Sequence, residues 1–511
     1  MTHVSKIIGE SKKLLTFPPS QIPIIALKLP RLNSLFFLLA GISIALLLYW
    51  INPLSLDPKG ARVLALAVLM IFWWVSEALP LPVVALTPLI LFPLLGIQSI
   101  KTTAVGYSNP VVFLFMGGFF IGLAIEKWDL HRRIALSIVH RTGTSGDRII
   151  LGFILATGFL SMWLSNTATT MMMFPIALSV IHVMKSSISN DKAMRNFSMS
   201  LMLVIAYSAN FGGIATIIGT PPNVAYVGFM QERYQYEVAF MDWIKLCMPL
   251  SVAILLSLYF VMTKWLYPNY IRHDEVTHAF IKSELHSLGR LKTPERRTLV
   301  IFMITVFLWI TKDLINSFKQ VTLDDNMIAL FGALLLFIVP SGTGTADKEE
   351  KILNWDDTHR LPWGILLLFG GGIALADALE SAGIIKLLGN YLSSWSGTGI
   401  LALIFVVTFS SLFLSEVMSN IAQVIVLSPL ICGISDAMEV HPLLLGIPMT
   451  LGASCASMMP MGTPPNAIVF SSGYIPLRQM MRAGFVMNLI CILLITFFCW
   501  LVLPGMLGRY Q

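Results

Sequence analysis

Two short motifs each occur twice in this 511-residue chain. Ser165-Asn166-Thr167 is matched by Ser419-Asn420-Ile421, and Gly219-Thr220-Pro221-Pro222-Asn223 by Gly462-Thr463-Pro464-Pro465-Asn466. None of the four segments holds a Lys or an Arg. Their chemistry is that of neutral oxygen atoms and of helix ends. Paired prolines interrupt a helix, because they lack backbone donors and their rings clash with the preceding turn. They fit the first turn of a new helix. The carbonyl oxygens of Gly219 and Gly462 therefore fall in unwound chain. Ser161, Ser165 and Asn166 offer further oxygens near the first motif, and Ser415, Ser419 and Asn420 near the second. Carbonyls, hydroxyls and an amide oxygen together suit a small hard cation. Half-helices expected from Asn223 and from Asn466 onward point their positive ends at the same regions. Each end is worth about half an elementary charge, which suits an anion where no basic side chain is at hand. An Asn can serve both ligands, its oxygen on a cation and its NH₂ on a carboxylate.

One Ser-Asn or Pro-Pro-Asn alone would mean little, since Ser, Thr and Asn commonly join membrane helices to one another. The repetition carries the argument, so the elements that hold the motifs matter. The chain is 56% hydrophobic and 12% charged, with a mean hydropathy of +0.78. A soluble chain would carry about twice that share of charge. Apolar runs long enough to cross a bilayer recur from end to end. They are expected near 34–50, 61–78, 83–97, 109–126, 200–227, 244–265, 298–315, 326–340, 362–380, 442–470 and 483–504. Two more, 150–183 and 399–434, are broken midway by the Ser-Asn motifs. A polar break at membrane depth is tolerated only inside protein or along a cavity. Each therefore reads as a re-entrant hairpin with a polar tip.

The expected fold is thus all-α and polytopic, with eleven transmembrane helices and two re-entrant hairpins. An N-terminal segment and first helix (1–60) precede two halves, 61–265 and 298–505, joined by a linker (266–297). Each half runs three spans, a hairpin, a Gly-Thr-Pro-Pro-Asn span and a last span. Five full spans is an odd number, so the second half enters the membrane inverted, as in secondary transporters whose site lies between paired broken segments. Basic residues cluster at Lys6 to Arg31, at Lys127 to Arg148, at Lys264 to Arg297, and at Arg478 and Arg482. The positive-inside rule then puts these segments and the N-terminus in the cytoplasm and the C-terminus outside, across an inner or cell membrane.

Other residue classes are less informative. The net charge of +7 sits in short loops and forms no nucleic-acid-binding run. The five cysteines (Cys247, Cys432, Cys455, Cys491 and Cys499) make no C-x-x-C pair and read as free packing thiols. Glu77 and Glu126 lie at span ends, where snorkelling to the interface suffices. Glu416 stands beside the second tip and reads first as support for the hairpin, second as a cavity lining. Asp377 falls near a span end. No phosphate-binding loop, nucleophile elbow or H-E-x-x-H is present, so no enzyme is indicated.

The sequence resembles the divalent anion:sodium symporter family, the sodium-coupled dicarboxylate and sulfate transporters. The resemblance spans roughly residues 60 to 505. It is carried by Trp73-Trp74-Val75-Ser76-Glu77-Ala78-Leu79-Pro80, Phe115-Met116-Gly117-Gly118, Glu126-Lys127-Trp128, Pro362-Trp363-Gly364, Phe369-Gly370-Gly371-Gly372 and the paired motifs. It implies a homodimer held through a scaffold domain, and a transport domain that carries both hairpins across the membrane as an elevator. It implies a first sodium site at Ser161, Ser165, Asn166 and the carbonyl of Gly219. The second would use Ser415, the carbonyl of Met418, Asn420 and the carbonyl of Gly462. The anion would meet Ser165, Asn166, Thr167, Thr220, Ser419, Asn420, Thr463 and Pro464. Sodium enters as a coupling ion, and no cofactor is implied. One departure stands out: Ile421 sits where the first motif has the hydroxyl of Thr167.

The expected activity is sodium-driven import of C4-dicarboxylates such as succinate, malate or fumarate. Sulfate, a tricarboxylate, or sodium-independent exchange on the same fold are the near alternatives. An anion channel is the distant one, and no continuous pore-lining pattern supports it.

Overall fold

The computed structural model describes residues 34–188, 190–272, 275–318, 322–343, 350–384, 387 and 399–507. The N-terminal basic residues Lys6 to Arg31, and Asp347, lie outside the described residues. Apolar chain in lipid must satisfy its own backbone, which a helix does within one segment. The described residues accordingly form helices and no sheet. In the first half these are α1 (Ser34–Ile51), α2 (Pro58–Ser76), the short α3 (Leu81–Ala85), α4 (Thr87–Leu94) and α5 (Ile100–Val105), then α6 (Pro110–Lys127) and α7 (Leu130–Thr142). The first hairpin is α8 (Gly146–Ser161) with α9 (Asn166–Ser187). The first broken span is α10 (Asp191–Gly213) with α11 (Pro221–Tyr234), and α12 (Phe240–Phe260) closes the half, followed by a π-helical turn to Leu266. The linker holds α13 (Glu275–Ser287).

The second half repeats the order. It has α14 (Thr293–Ser317), α15 (Asp325–Ile338) and α16 (Trp363–Ser381), then the hairpin α17 (Ile400–Ser415) and α18 (Asn420–Ala437). The broken span α19 (Leu443–Ser454) and α20 (Pro464–Phe470) precedes α21 (Leu477–Leu507). Nine helical stretches among the described residues are long and apolar enough to cross a membrane, the second arms of both hairpins among them.

Three local features depart from the hydropathy reading. The stretch expected as one span near 83–97 is divided at Leu86 into α3 and α4, with Pro82 and Pro88 at the start of each. A proline ring removes a backbone donor and crowds the turn before it. The basic stretch after Lys127 is largely helix: α7 buries Leu130, Ala135, Leu136 and Val139, and its Arg132 and Arg133 are engaged in ion pairs. The half-helices begin at Pro221 and Pro464, not at the asparagines two residues later.

Packing crosses the two halves. The broken-span helix α11 lies against α18 and α19, while α20 of the second half lies against α9 and α10. Each half-helix thus rests on the second hairpin arm of the opposite half. Glycines permit the tight crossings. A Cβ on Gly117 of α6 would stand 2.6 Å from the carbonyl carbon of Ala329 on α15. Loops expected on one side of the membrane also meet. Arg132 pairs with Glu284 at 2.9 Å and Arg133 with Glu295 at 2.8 Å, fastening the linker to α7. Arg133 also donates to the carbonyls of Leu288 and Gly289. At the other end of the molecule Arg233 pairs with Glu380 at 2.8 Å and Asp436 at 2.9 Å. The five cysteines are all buried and free.

Candidate functional site

The first tip is a four-residue turn between α8 and α9. Ser165 caps α9 by accepting from the backbone N–H of Ala168 at 3.2 Å. That cap places Asn166 and Thr167 in the first helical turn, where backbone donors have no partner of their own. Asn166 reaches back to Ser161, the last residue of α8. The Ser161 hydroxyl lies 2.7 Å from Asn166 Oδ1 and 2.7 Å from the carbonyl oxygen of Ala209 on α10. A hydroxyl has one proton. Three oxygens therefore crowd together with one hydrogen among them.

The second tip repeats this arrangement. The Ser415 hydroxyl lies 2.6 Å from Asn420 Oδ1 and 2.5 Å from the carbonyl oxygen of Ala453 on α19. Ser161 and Ser415 are both fully buried. Neutral, proton-poor oxygens held this closely fit a small hard cation, which removes the competition for the single proton. Among the described residues no group of three or more His, Cys, Asp or Glu side chains is placed to hold a metal ion.

The unwound segments sit beside these clusters. A Cβ on Gly219 would meet the carbonyl oxygens of Gly213 and, at 3.0 Å, Ser161. Carbonyls thus converge on the expected glycine. The Asn223 amide donates to the carbonyl oxygens of Thr216 at 2.8 Å and Gly213 at 3.4 Å. Its counterpart Asn466 donates to Met459 at 3.1 Å and Ala456 at 3.4 Å. The last Asn of each motif is therefore the clamp that holds the loop in shape.

The two loops differ in their second clamp. In the first half the Thr216 hydroxyl donates to the Met162 carbonyl at 2.5 Å and accepts from the N–H of Gly219 at 3.0 Å. In the second half Glu416 follows Ser415 as Met162 follows Ser161. Glu416 Oε1 accepts from the backbone N–H groups of Ser457 and Met458, each at 2.9 Å, and from Asn488 Nδ2 at 2.7 Å. Its Oε2 accepts from the N–H of Met459 at 2.9 Å. Four donors satisfy this buried carboxylate, as its burial demands. Its contacts are those of a loop support.

The remaining expected residues fall around the same centre. Thr167, Ile421, Ser419, Asn420 and Met418 are half-buried at the two tips, Thr220 is buried, and Pro464 is exposed. Ser419 stands at the N-cap of α18 without a side-chain cap, whereas Thr463 caps α20 by accepting from the N–H of Asn466 at 3.4 Å. Glu77 and Glu126 are exposed.

Three contributors were not visible in the sequence. The carbonyls of Ala209 and Ala453 carry no residue-type signal. Asn210 occurs once, inside an apolar run, without a counterpart in the repeat. It accepts from Asn166 Nδ2 at 3.4 Å and donates to Thr463 Oγ1 at 3.1 Å. It thereby joins the first hairpin tip to the second half's loop.

Comparison with known proteins adds a family. The chain matches the sodium:sulfate symporter transmembrane region over residues 31–506. It is 38% identical over 482 residues to the sodium-dependent dicarboxylate transporter SdcS of Staphylococcus saprophyticus, covering 92% of this chain and 91% of that protein. It is 39% identical over 488 residues to SdcS of Staphylococcus aureus, covering 93% and 91%. Two solved structures share the fold. MtrF of Neisseria gonorrhoeae aligns with a TM-score of 0.55 at 13% identity, over 78% of this chain and 83% of that one. The YdaH transporter of Alcanivorax borkumensis aligns with a TM-score of 0.55 at 11% identity, over 92% and 98%.

Proposed function

The chain belongs to the sodium:sulfate symporter family, and from that premise we propose that it imports small divalent anions, C4-dicarboxylates foremost, by symport with sodium. The observation that carries this reading is the duplicated oxygen cluster: Ser161, Asn166 and the Ala209 carbonyl, and again Ser415, Asn420 and the Ala453 carbonyl. Each would hold one sodium ion, with the nearby carbonyls of Gly219 and of Gly462 and Met418 completing the shells. The anion sits between the tips. Asn166, Thr167, Ser165 and Thr220 bind it from the first half, and Asn420, Ser419, Thr463 and Pro464 from the second. Helix N-termini supply the positive potential that the side chains lack. The dicarboxylate named for the staphylococcal relatives favours that class of cargo over sulfate.

The two halves are proposed to be inverted repeats, with the N-terminus cytoplasmic and the carrier moving as an elevator within a homodimer. The test of the function is uptake of labelled succinate and labelled sulfate into proteoliposomes, with and without an inward sodium gradient. Succinate uptake that depends on sodium is expected, with weaker sulfate uptake. Succinate uptake indifferent to sodium would replace symport by exchange.

A further inference from the structure

Asn210 is 1% exposed, and all its hydrogen-bonding groups are engaged. Its Oδ1 accepts from Asn166 Nδ2 at 3.4 Å. Its Nδ2 donates to Thr463 Oγ1 at 3.1 Å and to the carbonyl oxygen of Ala456 at 3.5 Å. Thr463 Oγ1 accepts a second time, from the backbone N–H of Asn466 at 3.4 Å. A threonine hydroxyl has two lone pairs and one proton. Both acceptor sites of Thr463 are thus taken from within the protein, and only its O–H proton is left to point elsewhere. The residue is buried, so the hydroxyl cannot turn to bulk water.

We propose that Asn210 is a positioning residue that fixes the Thr463 hydroxyl as an obligate hydrogen donor to the transported anion. The proposal rests on the reading of Thr463 as an anion ligand. A carboxylate accepts hydrogen bonds and donates none, so a hydroxyl held as a donor selects for it before it arrives. The device is one-sided. Ser161 touches the carbonyl of Ala209 and Ser415 that of Ala453, and the residues that follow these alanines are Asn210 and Ser454. Ser454 spends its hydroxyl on the carbonyl of Thr450 in its own helix, at 3.2 Å. Thr220, the counterpart of Thr463, makes no side-chain cap. A separate hydrogen bond, from Asn166 Nδ2 to Asn210 Oδ1, ties Asn210 to the first tip, so the asparagine proposed to hold the first sodium and the threonine proposed to hold the anion share one neighbour.

The experiment measures succinate Kd at saturating sodium, by calorimetry on the full-length detergent-purified protein, for four variants. Thr463→Val removes the hydroxyl and is expected to raise Kd about ten- to a hundredfold. Asn210→Ser leaves a side chain too short to reach Thr463 and is expected to raise Kd about tenfold. The double variant should cost clearly less than the product of the two single losses, because Asn210 acts on the anion largely through that hydroxyl. A merely structural loss at position 210 would instead multiply with the loss at 463 and overturn the proposal. Asn210→Asp is close in shape, which guards against a variant that does not fold. Its carboxylate would draw the Thr463 proton onto itself, so succinate should bind at least as poorly as in Thr463→Val. Wild-type affinity in Asn210→Asp overturns the proposal. Unchanged affinity in Thr463→Val overturns it too while leaving sodium-coupled transport standing, whereas a wild type that binds no succinate at any sodium concentration overturns both.

Discussion

At the residue scale the two tips are alike in their clustered oxygens and unlike in the residue after each Asn. Thr167 and Ile421 occupy the same place after Asn166 and Asn420, and both are half-buried. Only Thr167 has a hydroxyl. A hydrogen bond to a charged group is worth about 1.5–3 kcal/mol, or roughly ten- to a hundredfold in affinity. Thr167→Val is therefore expected to raise the KM for succinate on that scale, whereas Ile421→Val should change it little. Equal effects in uptake assays would remove the hydroxyl from the site. The Ser-Asn pairs were legible because side-chain type and repetition both mark them. Ala209 and Ala453 were not, because a backbone oxygen leaves no trace in residue identity. Asn210 was missed for a related reason: one polar residue in an apolar helix is the commonest form of helix glue, and its role depends on Thr463, which lies 253 residues away.

At the element scale, an unwound segment in a membrane survives only if its freed backbone groups find partners. The first loop uses the Thr216 hydroxyl and the second the Glu416 carboxylate. Glu416→Gln replaces one acceptor oxygen by an NH₂ that faces a backbone donor. One or more of the N–H groups of residues 457–459 then loses its partner, at a cost of about 1–3 kcal/mol each. The expected outcome is a lower unfolding temperature in detergent together with weaker sodium binding, measured by thermal shift over a sodium titration. A variant as stable and as sodium-responsive as wild type would show that the loop does not depend on this carboxylate. Hydropathy made the hairpins and broken spans legible, because long apolar runs and Pro-Pro pairs leave few alternatives. It failed at α7 and α13, where Arg132, Arg133 and Glu284 interrupt the apolar pattern. Those charges are engaged in ion pairs between α7, α13 and α14, so they lower the hydropathy of helices that nonetheless bury one face.

At the scale of the whole molecule the question is what drives a dianion into a negative interior. Moving one elementary charge through the membrane potential is worth about 2.3 kcal/mol per 100 mV. A dianion entering alone is therefore opposed by roughly 4.6 kcal/mol per 100 mV. The oxygen cluster occurs once in each half, and with one sodium ion held at each, as proposed, the loaded carrier would bring in two positive charges with two negative ones. Such a complex gains nothing from the potential and loses nothing to it, and the sodium concentration gradient alone would drive uptake. The expected outcome is sodium-dependent succinate uptake whose initial rate does not change when a potassium diffusion potential, negative inside, is imposed with valinomycin across the proteoliposome membrane. A rate that rises with the potential would demand a third cation per cycle. That cation would need a site outside the repeated motifs, since neither half shows a second cluster of the Ser-Asn-carbonyl kind among its described residues. A rate that falls with the potential would mean that fewer than two sodium ions travel with each dianion, and one of the two clusters would then be a packing feature only.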